Sequence, residues 1–329
     1  MNPAFSVILF TTLSGAGYGL LALLGGMIAV APPMIYVKTD DPLVLLGVSL
    51  LSVWLGIGVA LTAIGLVSSM FHLGKPLRAW RAFSQWRTSW LSREGVMALA
   101  TYPPVAALIV LLWAEVRAGT TAASPTSWLV PWVGGVLALL SLLTVVCTAM
   151  IYASLKPIPA WRHGLVVPVY LAFALLLGLL VLGCITGFRP TLMLAMATIV
   201  AVGLAMMKLI YWRAIDRIEL PSREAATALE GFGKVSIFER PHTEQNYLTR
   251  EMGFVLARKH SRKLRVIALL LFAGIPLLAL LAAGAFPPVA VVVLWIAALA
   301  ALAGAFVERW LFFAEAKHTV MLYYGAAAV

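Results

Sequence analysis

Eight stretches of roughly twenty residues carry no Asp, Glu, Lys, Arg or His, and together they use about half of a 329-residue chain. They cover residues 5–31, 43–69, 95–113, 128–151, 165–185, 191–207, 266–286 and 289–307. A bilayer's hydrocarbon core is ~30 Å thick and takes ~20 apolar residues as a helix. With no water to bond to, the backbone must satisfy itself, and uniformly apolar runs of this length do so as helices; barrel strands would alternate over ~10 residues. Of all residues 62% are hydrophobic and 11% charged, against ~45–50% and ~25% in soluble domains. This excludes a soluble enzyme and a nucleic-acid binder, and eight runs exclude a single-pass receptor. The expected fold is all-α: a polytopic membrane protein of eight transmembrane helices in a bundle, with residues 1–329 forming a single integral membrane domain. No basic residue precedes the first run, and Pro32 follows the cleavage-like Ala29-Val30-Ala31, so that run is expected to remain as a span.

The net charge of +11 comes from 24 Lys and Arg against 13 Asp and Glu. With eight spans both termini share a side, and the loops and tail on that side hold 21 of the basic residues; the opposite side holds Lys38, Arg117 and Arg189. The positive-inside rule then expects a protein of the inner (cytoplasmic) membrane with both termini and the large loops in the cytoplasm. Part of that charge attracts anionic headgroups.

No ionisable residue lies in the middle of any of these spans, which disfavours a secondary transporter. Cys147 and Cys184 lie in apolar runs without a second thiol or a histidine at ligand spacing, so they read as small core residues and no metal or iron–sulfur cluster is expected in this chain. The five histidines, His72, His163, His242, His260 and His318, all fall on the terminal side, too shallow for the facing pair that a membrane haem needs.

The densest polar cluster follows the second run, Phe71-His-Leu-Gly-Lys-Pro-Leu-Arg-Ala-Trp-Arg81 and on to Thr88-Ser-Trp-Leu-Ser-Arg-Glu94. Gly74 and Pro76 end the helical pattern just after His72. An imidazole and a carboxylate at the lip of an apolar bundle are what quinone chemistry asks for. A lipid-soluble quinol must lose protons as its electrons leave, and His72 and Glu94 can take or return them. Lys75, Arg78 and Arg81 can orient a carbonyl, while an apolar groove suffices for the isoprenoid tail. The tryptophans of this loop read chiefly as an interfacial belt.

Lys75-Pro-Leu-Arg-Ala-Trp-Arg81 recurs as Lys156-Pro-Ile-Pro-Ala-Trp-Arg162. Either a duplicated helix hairpin or a shared interfacial design accounts for the echo, and the unequal placing of His72 and His163 makes the two copies non-equivalent. A long loop over residues 213–263 mixes basic, acidic and aromatic residues and reads as a lid or a dock for a partner subunit.

These motifs, with Met150-Ile-Tyr-Ala-Ser-Leu-Lys156, the segment from Pro241 to Arg265 and the tail from Glu308 to Tyr324, resemble the DmsC-type membrane anchor subunits of dimethyl sulfoxide reductase-like molybdoenzymes. The resemblance implies a DmsC- or NrfD-like bundle in a heterotrimer. A molybdopterin catalytic subunit would exchange electrons, through a four-cluster iron–sulfur subunit docked on the 213–263 loop, with a quinone (menaquinone or ubiquinone) held by the anchor. It also implies His72 and Glu94 as quinone-site residues, and no molybdenum chemistry in this chain. The start Asn2-Pro-Ala-Phe-Ser6 and the tail are more similar to the anchors of sulfite dehydrogenase complexes. A purely structural anchor, without a quinone site, is the alternative reading.

Overall fold

The computed structural model describes residues 4–30, 42–118, 128–186, 191–218, 222–236, 238–239 and 256–324. Among them eight helical segments are long and apolar enough to cross a membrane, as expected. The elements are α1 (Phe5–Val30), α2 (Pro42–Met70), a 3-10 helix (Pro76–Gln85), α3 (Trp90–Ala100), α4 (Tyr102–Ala118), α5 (Leu129–Ala153), α6 (Val166–Thr186) and α7 (Thr191–Asp216). A short α8 (Arg223–Thr227) precedes α9 (Leu256–Leu269), which runs through a π-helical turn (Leu270–Gly274) into α10 (Ile275–Ala285). The last span, α11 (Ala290–Ala314), is followed by a 3-10 turn (Thr319–Tyr324).

α1 is the axis of the bundle and packs against α2, α5, α6 and α11. Lipid tails are as apolar as leucine, so spans associate through close packing rather than through the hydrophobic effect, and small residues mark where backbones meet. A Cβ on Gly19 would fall on the Ala174 carbonyl of α6, and one on Gly178 would meet the Gly19 backbone in turn. The outer faces keep their apolar side chains exposed, Ile199, Leu278 and Val292 among them, as a lipid-facing surface requires.

Two spans are broken, each at proline. The third consists of α3 and α4, joined at Thr101 before Tyr102-Pro-Pro104; Pro103 and Pro104 cannot donate to the carbonyls four residues back, and the helical hydrogen-bond ladder is interrupted there. In the seventh, Pro276 leaves no donor for Phe272, and the π turn answers by linking the Ile275 N–H to the Leu270 carbonyl, one residue beyond the α-helical partner.

Four spans also run well beyond their apolar runs. α7 continues nine residues past Met207, α11 continues seven past Val307, the third span begins at Trp90, ahead of Gly95, and the seventh begins at Leu256, ahead of Val266. The sequence places no ionisable residue in the middle of a span and leaves Glu94, Lys208, Glu308 and Arg309 outside the apolar runs; all four sit inside helices and are buried. A hydropathy run stops at the first charge, whereas a helix continues wherever that charge is paired. Lys208 Nζ lies 2.5 Å from Glu308 Oε1, and Arg309 Nη2 lies 2.6 Å from Glu308 Oε2. The Arg309 guanidinium also stands 3.9 Å from the centre of the Tyr170 ring. These charges sit toward the end of the bundle that carries the first residues of α1 and the last of α11.

The long-loop expectation shrinks from both sides. Residues up to Asp216 belong to α7, and the basic run Arg258 to Arg265 is helical in α9. Arg265 grips both carboxylate oxygens of Asp216 at 2.7 and 2.9 Å and donates through Nε to Glu315 at 2.9 Å, so it ties α9 to α7 and to the chain after α11. Within the anticipated dock, residues 219–221, 237 and 240–255 lie outside the described residues.

Candidate functional site

A cavity of about 600 Å³ opens at the end of the bundle where α1 begins and α2, α5 and α11 finish. Its walls are mostly apolar, including Val7 and Phe10 of α1, Leu66 of α2 and Ile151 of α5. Four of the five residues singled out from the sequence line it together: His72, Lys75, Arg78 and Glu94. The fifth, Arg81, does not; its guanidinium lies 5.6 Å from the Trp80 ring on the exposed side of the same segment. Arg93 also faces away, donating to the Trp86 and Arg87 carbonyls at 3.1 and 2.6 Å and stacking on Trp90.

The loop reaches this arrangement through its local structure. α2 ends at Met70, and Lys75-Pro76 starts the 3-10 helix with the proline at its first position, where a missing N–H costs nothing. A 3-10 helix repeats every three residues. Ala79 and Ala82 therefore stack on one face over the cavity, beside Phe83, while Trp80 is 65% exposed on the other. Gly95 admits this lid, because a Cβ there would come within 2.8 Å of the Phe83 ring.

His72 and Glu94 differ in environment. His72 stands in the turn after α2, and its partial burial lowers the imidazole below its ordinary pKa, so the ring is neutral at pH 7. Glu94 is 4% exposed, one turn into α3, and one carboxylate oxygen accepts the Thr148 hydroxyl of α5. One titratable group of the cavity wall thus lies at the protein surface and the other is buried.

The aromatic floor was not foreseen. Tyr152, Trp161 and Phe313 line the cavity and pack edge to face at 5.2–5.7 Å, and the Trp161 indole N–H donates to the Phe312 carbonyl at 2.9 Å. Trp161 lies in the second copy of the echoed motif and is buried, whereas its counterpart Trp80 is exposed; the copies are indeed not equivalent. His163 and His318 accept backbone N–H groups two residues on, from Leu165 and Val320, and serve as local turn caps. Among the described residues no three His, Cys, Asp or Glu side chains gather at metal-binding distance.

The donor set and the walls fit a quinone: a space of this size lined by a neutral imidazole, two cationic side chains and a buried carboxyl, with mostly apolar sides.

Comparison with known proteins agrees with the architecture. The profile of the family described as DMSO reductase anchor subunit (DmsC) matches residues 1–325. The C subunit of the sulfite dehydrogenase of Allochromatium vinosum is 31% identical over 346 aligned positions that cover the whole of both chains.

Proposed function

Because the chain belongs to the DMSO reductase anchor subunit (DmsC) family, and is thereby a multi-pass membrane anchor subunit of an oxidoreductase, we propose that it also exchanges electrons with the quinone pool at the cavity between His72 and Glu94. The observation that carries this reading is the meeting of His72, Lys75, Arg78 and Glu94, from two separate segments, around one apolar-walled space. A bound quinone supplies a carrier of two electrons and two protons. The His72 imidazole and the Glu94 carboxyl hold and deliver the protons, and Lys75 and Arg78 steady negative charge on a quinone oxygen. Thr148 keeps the carboxyl aimed into the cavity, and the Tyr152–Trp161–Phe313 floor excludes water from its depth.

The full-length likeness to the C subunit of a sulfite dehydrogenase favours a complex that oxidises sulfite and passes electrons into quinone. Its molybdopterin and four-cluster iron–sulfur subunits would sit on the basic, terminal end of the bundle. The 21-to-3 division of basic residues favours the cytoplasm for that end. Electrons and protons then meet quinone from one side of the membrane.

The test is His72→Ala in the purified complex. Quinone-linked turnover should be lost while assembly and activity with artificial dyes remain; unchanged quinone turnover would end the assignment.

A further inference from the structure

A second, much smaller cavity lies deeper in the bundle, behind Glu94. It is enclosed by α1, α5, α6 and α11, and its polar lining includes Thr12, Tyr18, Thr148, Tyr170 and Arg309. All five are less than a tenth exposed. The space open to the centre of a water molecule is about 20 Å³, where ~10–15 Å³ is needed for one water. One molecule fits, and a file of them does not.

The hydroxyls around it do not behave alike. Thr11, Ser14 and Thr144 each donate to a carbonyl of the preceding turn, the usual resort of a helical hydroxyl in an apolar setting. Thr12 forgoes that bond, and its Oγ1 has no protein partner although the residue is 3% exposed. A buried hydroxyl left unpaired is costly, and a water in the cavity beside it removes that cost. Thr148 occupies the opposite wall. Its single proton has two possible acceptors, Glu94 Oε1 and the Thr144 carbonyl at 3.1 Å.

We propose that this cavity binds one structural water, held by Thr12 and Arg309, which donates to Thr148 Oγ1 and thereby fixes the Thr148 hydroxyl on Glu94. The chain of donors runs one way, from the buried guanidinium through water and Thr148 to the carboxylate. Thr12 and Arg309 are then positioning residues for Glu94, acting from behind the quinone cavity without touching it. The catalytic consequence rests on the quinone reading above; the water site does not.

The test uses the intact complex in two measurements. Radiolytic hydroxyl labelling in isotopically marked water, read by mass spectrometry, should modify Tyr18 and Tyr170 several-fold faster than Tyr211, which is equally buried but bonded to the Ala160 carbonyl. Thr12→Leu, which fills the space, should bring that labelling down to the Tyr211 level. Thr12→Val should lower kcat for quinone about ten-fold, as for a lost hydrogen bond to a charged group, with KM and dye-linked activity unchanged, and Thr12→Ser should restore it. Labelling of Tyr18 and Tyr170 no faster than Tyr211 overturns the water site. Wild-type turnover in Thr12→Val, in a complex whose quinone activity does depend on His72, overturns the positioning role. A complex insensitive to His72→Ala but showing the labelling loses only the quinone reading.

Discussion

Removing the one acid of the buried cluster should be far worse than removing either base. Glu308 lies 2.5 Å from Lys208 and 2.6 Å from Arg309, and at an effective dielectric of ~20 each attraction has a gross value of about 6–7 kcal/mol. Each buried ion also carries a desolvation cost of several kcal/mol. Lys208→Met forfeits one attraction but removes one desolvation cost and the repulsion between the two cations, and it leaves Glu308 and Arg309 as a neutral pair. The net loss should stay at about 1–2 kcal/mol. Glu308→Gln forfeits both attractions and strands two cations together, which should cost at least the ~3–5 kcal/mol seen when a buried pair is broken. Lys208→Met added to Glu308→Gln should recover stability, because one stranded cation is then removed. The assay is unfolding of the purified protein in mixed micelles by titration with a denaturing detergent. Should Glu308→Gln yield too little folded protein, recovery in the double variant is read from folded yield instead. The reasoning fails if Lys208→Met costs as much as Glu308→Gln, or if the double variant is worse than Glu308→Gln alone.

Thr148→Val removes the hydroxyl that Glu94 accepts while preserving shape, and should reduce quinone-linked turnover by about 10- to 100-fold, the value of a hydrogen bond to a charged group, with dye-linked activity as the control. Run in reverse, from quinol to an oxidising dye, turnover needs the neutral His72 ring as proton acceptor; because burial lowers its pKa, that reverse rate should hold through pH 6.5 and decline only below it. His72→Gln should remove that acid limb from the pH profile. The same shift works against the fold on the acid side. Between the lowered folded pKa and ~6.5 the unfolded chain binds more protons, so His72's contribution to stability falls as pH drops through that window. Turnover should move no net charge, so proteoliposomes containing the complex and followed with a potential-sensitive dye should show no signal; a potential that builds during turnover contradicts one-sided proton exchange.

The eight spans were legible because a charge-free run of this length has one stable form in lipid. His72 and Glu94 were legible as a pair because each borders an apolar run, the second and the third, at the same lip of the bundle. The buried cluster was not, since Lys208, Glu308 and Arg309 look like loop charges until α7 and α11 are seen to continue past them and to neutralise one another. Trp161 and Trp80 occupy the same place in two similar motifs, and only tertiary packing puts one in the cavity floor and the other outside. Thr148 gave no local signal at all, because its role depends on α5 lying beside α3.

A density map of the intact complex with quinone bound tests the central claim most directly. The headgroup should lie between His72 and Glu94, under the Pro76–Gln85 helix, with the redox partners seated on that same end of the bundle. A headgroup elsewhere in the membrane domain, or partners attached at the opposite end, would contradict the account.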